Sequence, residues 1–234
     1  MKKREGTMSQ VSASQVKQLR DRTGAGMNDC RQALIEASGD EEKAVEIIQK
    51  KGLAKAAKKA GAIAAEGRVH AYIHHGGRIG VLVEVNSQTD FVARGEEFSK
   101  LVEEAALQIA SASPLYVRRD EVPADAIEKQ KVIFAGQLAE EEAKTGKKRP
   151  EAATQKIMEG KLDKWFSEVC LAEQEMVTRE DKKTIQQLCD ELSGKIGEKI
   201  SVRRFVRFEL GEGIEKKSVD LAADVAETLK SVGN

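Results

Sequence analysis

Hydrophobic residues near the start of the chain recur at helical spacing. Between residues 13 and 53 the apolar side chains lie three and four residues apart, a period that predicts short amphipathic helices. Gly24, Gly26 and Gly39 interrupt that pattern, and glycine tolerates the positive φ at which helices often end. We therefore predict three helices on one small core over residues 13–53, preceded by a flexible arm over residues 1–12.

The second and third of these helices carry specific expectations. On the second helix Met27, Cys30 and Leu34 share the apolar face, so we expect them to be buried. Asp40 is predicted to cap the third helix, and Gly52 is predicted to end it. The Ala- and Lys-rich residues after Gly52 would then form a separate short helix that links this module to the rest of the chain.

Farther along the chain the hydrophobic period changes to two. Residues 68–74 and 78–85 alternate on either side of Gly76-Gly77, which predicts a β-hairpin. Residues 201–210 also alternate, and because an isolated hairpin is barely stable in water we expect them to complete an antiparallel three-stranded sheet. Strict alternation places one set of side chains together on the third strand: Val202, Arg204, Val206, Phe208 and Leu210.

Helical spacing returns in the segments between and after these strands. The predicted helices span residues 95–111, 124–144, 151–166, 181–193 and 218–230. Gly146 and Pro150 separate the second helix of this set from the third, so we expect the two to fold back as an antiparallel hairpin. The predicted class is α+β.

These elements divide the chain into predicted regions, and the three-helix module is expected to have a core of its own. The regions are the arm at 1–12, the module at 13–53, an α+β core at 54–123 and 167–211, a protruding helical hairpin at 124–166 and a C-terminal helix at 212–234.

Composition narrows the classes of function. The 234 residues include 39 basic and 39 acidic side chains, and a chain without a basic excess gives no electrostatic reason to expect nucleic-acid binding. No apolar run approaches the roughly 18 residues of a membrane span, so we expect no membrane partner.

The three cysteines, Cys30, Cys170 and Cys189, lie far apart and do not have the spacing of a zinc site or of a redox pair. We expect them to pack as small hydrophobic residues in a reducing compartment, the cytoplasm.

The sequence shows no pattern typical of an enzyme active site or of a cofactor-binding site. Gly24 and Gly26 follow a predicted helix and lack the Lys-Ser/Thr pair of a phosphate-binding loop. The histidines lie in the predicted hairpin, but His74 and His75 are adjacent and point to opposite faces, so they do not converge on one metal ion. We therefore expect no catalytic residue, no metal and no cofactor, and we expect that the protein is not an enzyme.

One polar loop carries an aromatic residue whose role the pattern leaves open. After the second predicted strand comes Ser87-Gln88-Thr89-Asp90-Phe91-Val92-Ala93-Arg94. On one interpretation Phe91 is a hydrophobic staple for the next helix, with Asp90 or Thr89 as the N-cap. On the other, the loop presents Phe91 to a partner, because exposed aromatic residues on well-supported loops are favoured in recognition.

Two long motifs resemble the signatures of the elongation factor Ts family. The first is Leu19-Arg20-Asp21-Arg22-Thr23-Gly24-Ala25-Gly26-Met27, and the second is Glu84-Val85-Asn86-Ser87-Gln88-Thr89-Asp90-Phe91-Val92-Ala93. Residues 75–83 and 208–215 are similar to further stretches of the family, and the paired helices at 124–166 are similar to its protruding coiled coil. The resemblance covers nearly the whole chain from Val11. It departs at Ser87, where cysteine is often found.

The resemblance implies a nucleotide-exchange factor for the GTPase elongation factor Tu. Phe91 would be a wedge that enters the nucleotide domain of the GTPase, and Asp90 would help to disturb its magnesium site. Thr89 and Val92 belong to the same loop and to the same implied contact.

The resemblance also implies contacts outside this loop. Arg20, Met27 and Asn28 in the N-terminal module would grip another face of the nucleotide domain, although many members have methionine where Asn28 stands. His75 would contact a more distant domain of the partner.

The sequence leaves open two other functions, and it leaves open whether the protein is a homodimer or a monomer. The three small helices also resemble ubiquitin-associated (UBA) domains, so a plain binding module is one alternative, and a ribosome- or RNA-binding accessory protein is another. Longer relatives contain two core halves, whereas this chain has a single hairpin, so a homodimer would supply the second half. Alternatively, the helical hairpin at 124–166 would cover the sheet and complete a monomer.

Overall fold

The computed structural model describes residues 11–146 and 149–214, and within these ranges the chain forms eight α-helices and one three-stranded sheet. The helices are α1 (Ala13–Thr23), α2 (Met27–Glu36), α3 (Glu41–Lys59), α4 (Asp90–Ala93), α5 (Glu96–Ala112), α6 (Ala124–Thr145), α7 (Glu151–Val169) and α8 (Ile185–Ile196). The strands are β1 (Glu66–Ile73), β2 (Ile79–Ser87) and β3 (Ser201–Glu209). The α+β class is confirmed. The predicted C-terminal helix and most of the predicted arm lie outside the described residues.

Helices α1 to α3 form the predicted UBA-like module. Ser12 caps α1 through a reciprocal pair of hydrogen bonds with Gln15, and the Asp40 side chain caps α3 as expected. The prediction that Met27 is buried was wrong, because Met27 begins α2 and is 48% exposed. The core of the module consists of Val16, Leu19, Ala25, Cys30, Ala33, Leu34, Ala37 and Ala44.

Gly52 does not end the third helix, contrary to the prediction. Helix α3 runs without interruption from Glu41 to Lys59 and packs against α8. At this crossing a β-carbon added to Gly194 would lie 2.4 Å from the carbonyl oxygen of Gly52. The absence of a side chain at Gly194 therefore lets the two helix backbones approach closely, and Gly52 lies inside α3 without breaking it. The predicted division between residues 53 and 54 falls inside this helix.

The sheet has the order β1-β2-β3, and both strand pairs are antiparallel as predicted. Between β1 and β2, Gly76 and Gly77 adopt positive φ angles of 82° and 67°, which glycine accepts without steric cost. The inner face of β2 packs against α5, and α8 closes the same core. That core includes Val81, Val83, Val85, Phe98, Leu101, Val102, Ile109, Leu171, Met176, Ile185, Leu188, Leu192 and Ile200.

The prediction of strict alternation along β3 was wrong, because the pairing with β2 shifts by one residue at Arg203. Such a β-bulge inserts one residue and reverses the side that later residues face. Val202 and Phe205 consequently both contact the core. Val206 and Phe208 lie on the opposite side, where they are 49% and 68% exposed.

Helices α6 and α7 form the predicted antiparallel hairpin. Gly146 ends α6 with a φ of 66°, and Pro150 caps the start of α7. Leu138 is buried between the helices, and the Lys161 ammonium lies 5.6 Å from the centre of the Phe134 ring. The hairpin therefore relies on few buried side chains of its own.

The remaining helix bounds differ slightly from the prediction. Helix α8 begins at Ile185 rather than at residue 181, because Thr184 and Gln187 form a capping box there. Among the described residues, no helix is both long enough and apolar enough to cross a bilayer.

Candidate functional site

The loop at the end of β2 displays Phe91 to solvent. Thr89 caps the single-turn helix α4, and its hydroxyl oxygen accepts a hydrogen bond from the Val92 amide at 3.4 Å. Val92 and Ala93 are buried in the core at 6% and 5% exposure, whereas Phe91 is 83% exposed. The turn is thus anchored by the two residues after Phe91. Phe91 itself does not act as a staple, and Val92 is the one predicted site residue of this loop that lies inside the protein.

A carboxylate accompanies the exposed ring. Asp90 begins α4, and its Oδ2 accepts a hydrogen bond from Arg94 Nη2 at 2.7 Å. The Asp90 and Arg94 side chains are 62% and 79% exposed, so this is a surface ion pair that contributes little to stability. The loop therefore presents an aromatic ring and a carboxylate that remain accessible to another molecule.

Two polar residues secure the start of the loop. Ser87 is fully buried, and its hydroxyl donates a hydrogen bond to the Thr89 carbonyl oxygen at 2.8 Å. The side-chain oxygen of Gln88 accepts a hydrogen bond from the Lys199 amide at 3.1 Å. Ser87 therefore has a structural role as a hydrogen-bond donor.

Two charged residues reach the loop from elsewhere in the chain, and the sequence prediction missed both. Glu198 accepts hydrogen bonds from Thr89, from its amide at 3.0 Å and from its hydroxyl at 2.8 Å. Arg68 on β1 donates a hydrogen bond to the Ala93 carbonyl oxygen at 3.0 Å. No local sequence signal could have identified the first contact, because its two partners lie 109 positions apart in the chain.

The predicted contact residues of the N-terminal module lie at the corner between α1 and α2. Arg20 belongs to the last turn of α1, and its carbonyl oxygen accepts a hydrogen bond from the Gly24 amide at 2.7 Å. Met27 and Asn28 are the first residues of α2. All three side chains are exposed, so the corner presents a cation, a thioether and an amide together.

His75 lies apart from the Phe91 loop. It is exposed at the tip of the β1–β2 hairpin, whereas Phe91 lies beyond the other end of β2. The nine residues of β2, at about 3.3 Å each, place the two on the order of 30 Å apart. The structure therefore does not combine them into one site.

The described residues offer no metal-binding cluster and no accessible thiol. Within 11–146 and 149–214 no group of three or more His, Cys, Asp or Glu side chains is placed to hold a metal ion. The three cysteines are free and buried. Burial raises the pKa of the Cys170 thiol to about 11 and that of the Cys189 thiol to about 12, which keeps both protonated near neutral pH.

Comparisons with known proteins agree with the sequence motifs. The family model described as "Elongation factor TS" matches residues 7–212. A protein named elongation factor Ts from Desulforamulus reducens is 56% identical over 224 residues, which cover 96% of this chain and 100% of the relative. Proteins of the same name from Carboxydothermus hydrogenoformans and Acetivibrio thermocellus are each 54% identical, over 94% and 92% of this chain and 98% and 97% of the relatives. The chain therefore belongs to the elongation factor Ts family.

Proposed function

We propose that this protein is a guanine-nucleotide exchange factor that binds the GTPase elongation factor Tu and promotes GDP release during translation elongation. The observation that carries the proposal is Phe91, an aromatic ring that is 83% exposed on a turn anchored in the core. Aromatic residues held in this way are typical interface anchors. Membership of the family supports the choice of partner and, with it, a site of action in the cytoplasm.

Exchange of this kind needs no catalytic residue, metal or cofactor in the exchange factor, so we propose that the protein is not an enzyme. A GTPase holds GDP through backbone amides around the phosphates and through a bound Mg²⁺ ion. A protein that binds the empty GTPase more tightly than the GDP-bound form must weaken GDP binding by the same factor. In this scheme Phe91 enters the nucleotide domain as a wedge and Asp90 perturbs the Mg²⁺ site. Thr89 and Val92 hold the turn in shape.

Two further surfaces complete the proposed contact. The corner formed by Arg20, Met27 and Asn28 binds another face of the nucleotide domain, and His75 binds a more distant domain. These surfaces lie on one connected scaffold, and the separation of about 30 Å along β2 suits a partner that is contacted in several places. Contacts at several points also raise the effective concentration of each one.

Release of labelled GDP from elongation factor Tu tests the proposal. The complex of the GTPase with labelled GDP is mixed with excess unlabelled GDP, with and without a substoichiometric amount of this chain. An exchange factor turns over, so a small amount should release most of the label well before spontaneous dissociation does. Binding to the GTPase without faster release would exclude the exchange function.

Two other outcomes would replace the proposal. A ribosome- or RNA-binding protein would bind RNA with an affinity that falls steeply as salt rises. A plain UBA-like module would bind its partner through residues 13–53 alone, and changes in the Phe91 loop would then have no effect. Neither alternative accounts for the exposed ring on an anchored turn.

We also propose that the protein acts as a homodimer through the outer face of its sheet. The side chains on this face are large and exposed: Val69 at 65%, Ile73 at 68%, Leu82 at 47%, Val206 at 49% and Phe208 at 68%. The pairing register places several of them side by side, since Leu82 is paired with both Ala71 and Val206. In the described part of the chain α6 packs against α7 rather than over this face, which disfavours the monomer closed by the hairpin.

A further inference from the structure

The carboxylate of Glu198 accepts two hydrogen bonds from one residue of the Phe91 loop, Thr89. Its Oε2 accepts a hydrogen bond from the Thr89 amide at 3.0 Å, and its Oε1 accepts one from the Thr89 hydroxyl at 2.8 Å. Bonds to an ionised acceptor are stronger than bonds between neutral groups. The pair of bonds fixes the backbone and the side chain of Thr89 at the same time.

The bond to the hydroxyl also determines how Thr89 caps α4. A threonine hydroxyl has one proton to donate and two lone pairs that can accept. Its proton is committed to Glu198, so the lone pairs are free to accept the hydrogen bond from the Val92 amide. Glu198 therefore acts on the helical turn through Thr89, because it orients the capping oxygen as an acceptor.

Glu198 is itself held on a well-fixed segment. Before it, the Gly197 amide donates a hydrogen bond to the Ser193 carbonyl oxygen at 2.7 Å and ends α8. After it, the Ile200 amide donates to the Ser193 hydroxyl at 2.9 Å, and Ile200 is only 2% exposed. The neighbours on both sides fix the backbone at Glu198, and the two hydrogen bonds with Thr89 orient its side chain.

The far end of the turn is held independently. Arg68 donates one hydrogen bond to the Ala93 carbonyl oxygen and another to the Ser99 hydroxyl, both at 3.0 Å. The turn is therefore held at both ends, with Phe91 between them. A ring held in this way loses less conformational freedom when it enters a partner than a ring on a loose loop would lose.

We propose that Glu198 is a positioning residue for nucleotide exchange: it holds Thr89, and through Thr89 the turn that displays Phe91, in the conformation that the GTPase binds. This inference rests on the exchange function proposed above. When only a fraction of the molecules has the binding-competent conformation, the apparent affinity falls by that fraction. Loosening the turn should therefore raise the concentration needed for exchange and leave the rate at saturation almost unchanged.

The test compares conservative changes on both sides of the contact. Glu198→Gln keeps the shape but replaces the charged acceptor with a neutral amide whose nitrogen cannot accept the proton of the Thr89 hydroxyl. Thr89→Val keeps the shape but removes the hydroxyl. Each should raise the half-saturating concentration for GDP release about tenfold, the effect expected from one lost charge-assisted hydrogen bond. The double variant should be little worse than either single variant, because both remove the same contact. Thr89→Ser keeps the hydroxyl and should restore activity.

Amide hydrogen exchange on the free protein supplies a readout that does not depend on a partner. Glu198→Gln should speed exchange at the Val92 amide about tenfold and leave amides in the α5 core unchanged. The matched control is Glu159→Gln, which alters an exposed glutamate on α7 and should change neither measurement. If Glu198→Gln fails to fold, Thr89→Val compared with Thr89→Ser provides the same test.

The outcomes separate this inference from the proposed function. If the unaltered protein does not accelerate GDP release, the proposed exchange function is wrong, and the proposed role of Glu198 in exchange is wrong as well. If the unaltered protein accelerates release while Glu198→Gln and Thr89→Val behave like the Glu159→Gln control, exchange stands and the positioning role is overturned.

Discussion

An exposed aromatic side chain contributes little to folding, so its place in a structured turn calls for another reason. Burying a phenylalanine contributes about 1.5–3 kcal/mol to stability, and Phe91, 83% exposed, realises only a small part of that. Val92 and Ala93 anchor the turn instead. The ring thus retains an apolar surface that only another molecule can bury.

Replacing Phe91 with alanine should separate function from stability. The free energy of unfolding should change by less than about 0.5 kcal/mol, whereas binding to the GTPase should weaken by about 2–4 kcal/mol. Urea denaturation and stimulated GDP release, measured on one preparation, check both. Phe98→Ala is the control in which stability should fall. Phe98 is fully buried, so its loss should lower the free energy of unfolding by about 3–5 kcal/mol. A Phe91→Ala protein that unfolds readily while its folded fraction exchanges normally would refute the wedge.

Glu84 leads to a prediction about pH. Arg203 and Arg204 donate hydrogen bonds to its carboxylate at 2.9 and 2.7 Å, and these bonds lower the pKa of Glu84 from its ordinary value of 4.5 to about 2. Because the folded-state pKa is depressed, the stabilising contribution is complete above about pH 4.5 and is lost as the pH falls towards about 2.

The Glu84→Gln variant should therefore be less stable than the unaltered protein near neutral pH, and the difference should shrink to nothing near pH 2. Urea unfolding at a series of pH values measures the difference, and an NMR titration of the Glu84 carboxyl carbon gives its pKa directly. A stability difference that stays constant from pH 7 to pH 2 would show that the ion pairs are not its cause.

At the scale of secondary-structure elements, one helix crossing connects the N-terminal module to the core. Helix α3 continues through Gly52 and crosses α8 at Gly194, where the two backbones meet. The environments of the two glycines differ. A β-carbon on Gly194 would lie 2.4 Å from the Gly52 carbonyl oxygen, whereas one on Gly52 would have no atom closer than 3.9 Å.

Alanine substitutions at these two glycines form a matched pair. Both improve helix propensity by about 0.5–1 kcal/mol, so Gly52→Ala should stabilise the protein by roughly that amount. Gly194→Ala should instead destabilise it by about 1–3 kcal/mol, because the added carbon pushes the helices apart. Thermal and urea unfolding of the two variants measure the contrast. Equal effects would mean that the helices do not pack closely at this crossing.

The elements that the sequence predicted well are those fixed by local signals. Apolar period, caps and glycine turns located the three-helix module, the β1–β2 hairpin and the α6–α7 hairpin. The errors arose where a distant residue decides the outcome. The sequence around Gly52 predicts a helix end, but in the fold Gly52 lies inside α3 next to Gly194. The alternation in β3 fails at Arg203, because the pairing of that strand with β2 shifts there by one residue.

The candidate site shows the same division between local and distant information. The motif around Asp90 and Phe91 was identifiable from the sequence, and Thr89 was one of the two predicted caps. The support from Glu198 was not identifiable, because hydrogen bonds between residues 109 positions apart leave no periodic signal. Display of the ring was one of two open interpretations, and only its exposure in the fold distinguished them.

At the scale of the whole molecule, the proposed contact surfaces point to different parts of a large partner. The α1–α2 corner and the Phe91 loop are connected through α3 and α8, while His75 lies at the far end of β2. One copy that engages the wedge holds its His75 on the order of 30 Å away. A second copy, related by a twofold axis, presents the same surfaces in another orientation.

The homodimer is the last prediction and concerns the outer face of the sheet. Exposed apolar patches of this kind on soluble proteins commonly mark interaction sites, and a twofold axis lets the same face bury itself against its copy. Leu82, which is 47% exposed in the middle of the central strand, would then lie near the centre of the interface. Light scattering after gel filtration at micromolar concentration should give twice the 25.6 kDa of one chain.

Introducing a charge on this face tests the interface itself. Leu82→Glu should yield monomers, because an unpaired carboxylate is costly to bury, and exchange should slow because one copy reaches fewer of the partner's surfaces. Val132→Glu, a change at a 71% exposed position on α6, serves as the control and should leave both mass and exchange unchanged. An unaltered protein that elutes with the mass of one chain and still exchanges nucleotide at the full rate would show that a single copy is sufficient.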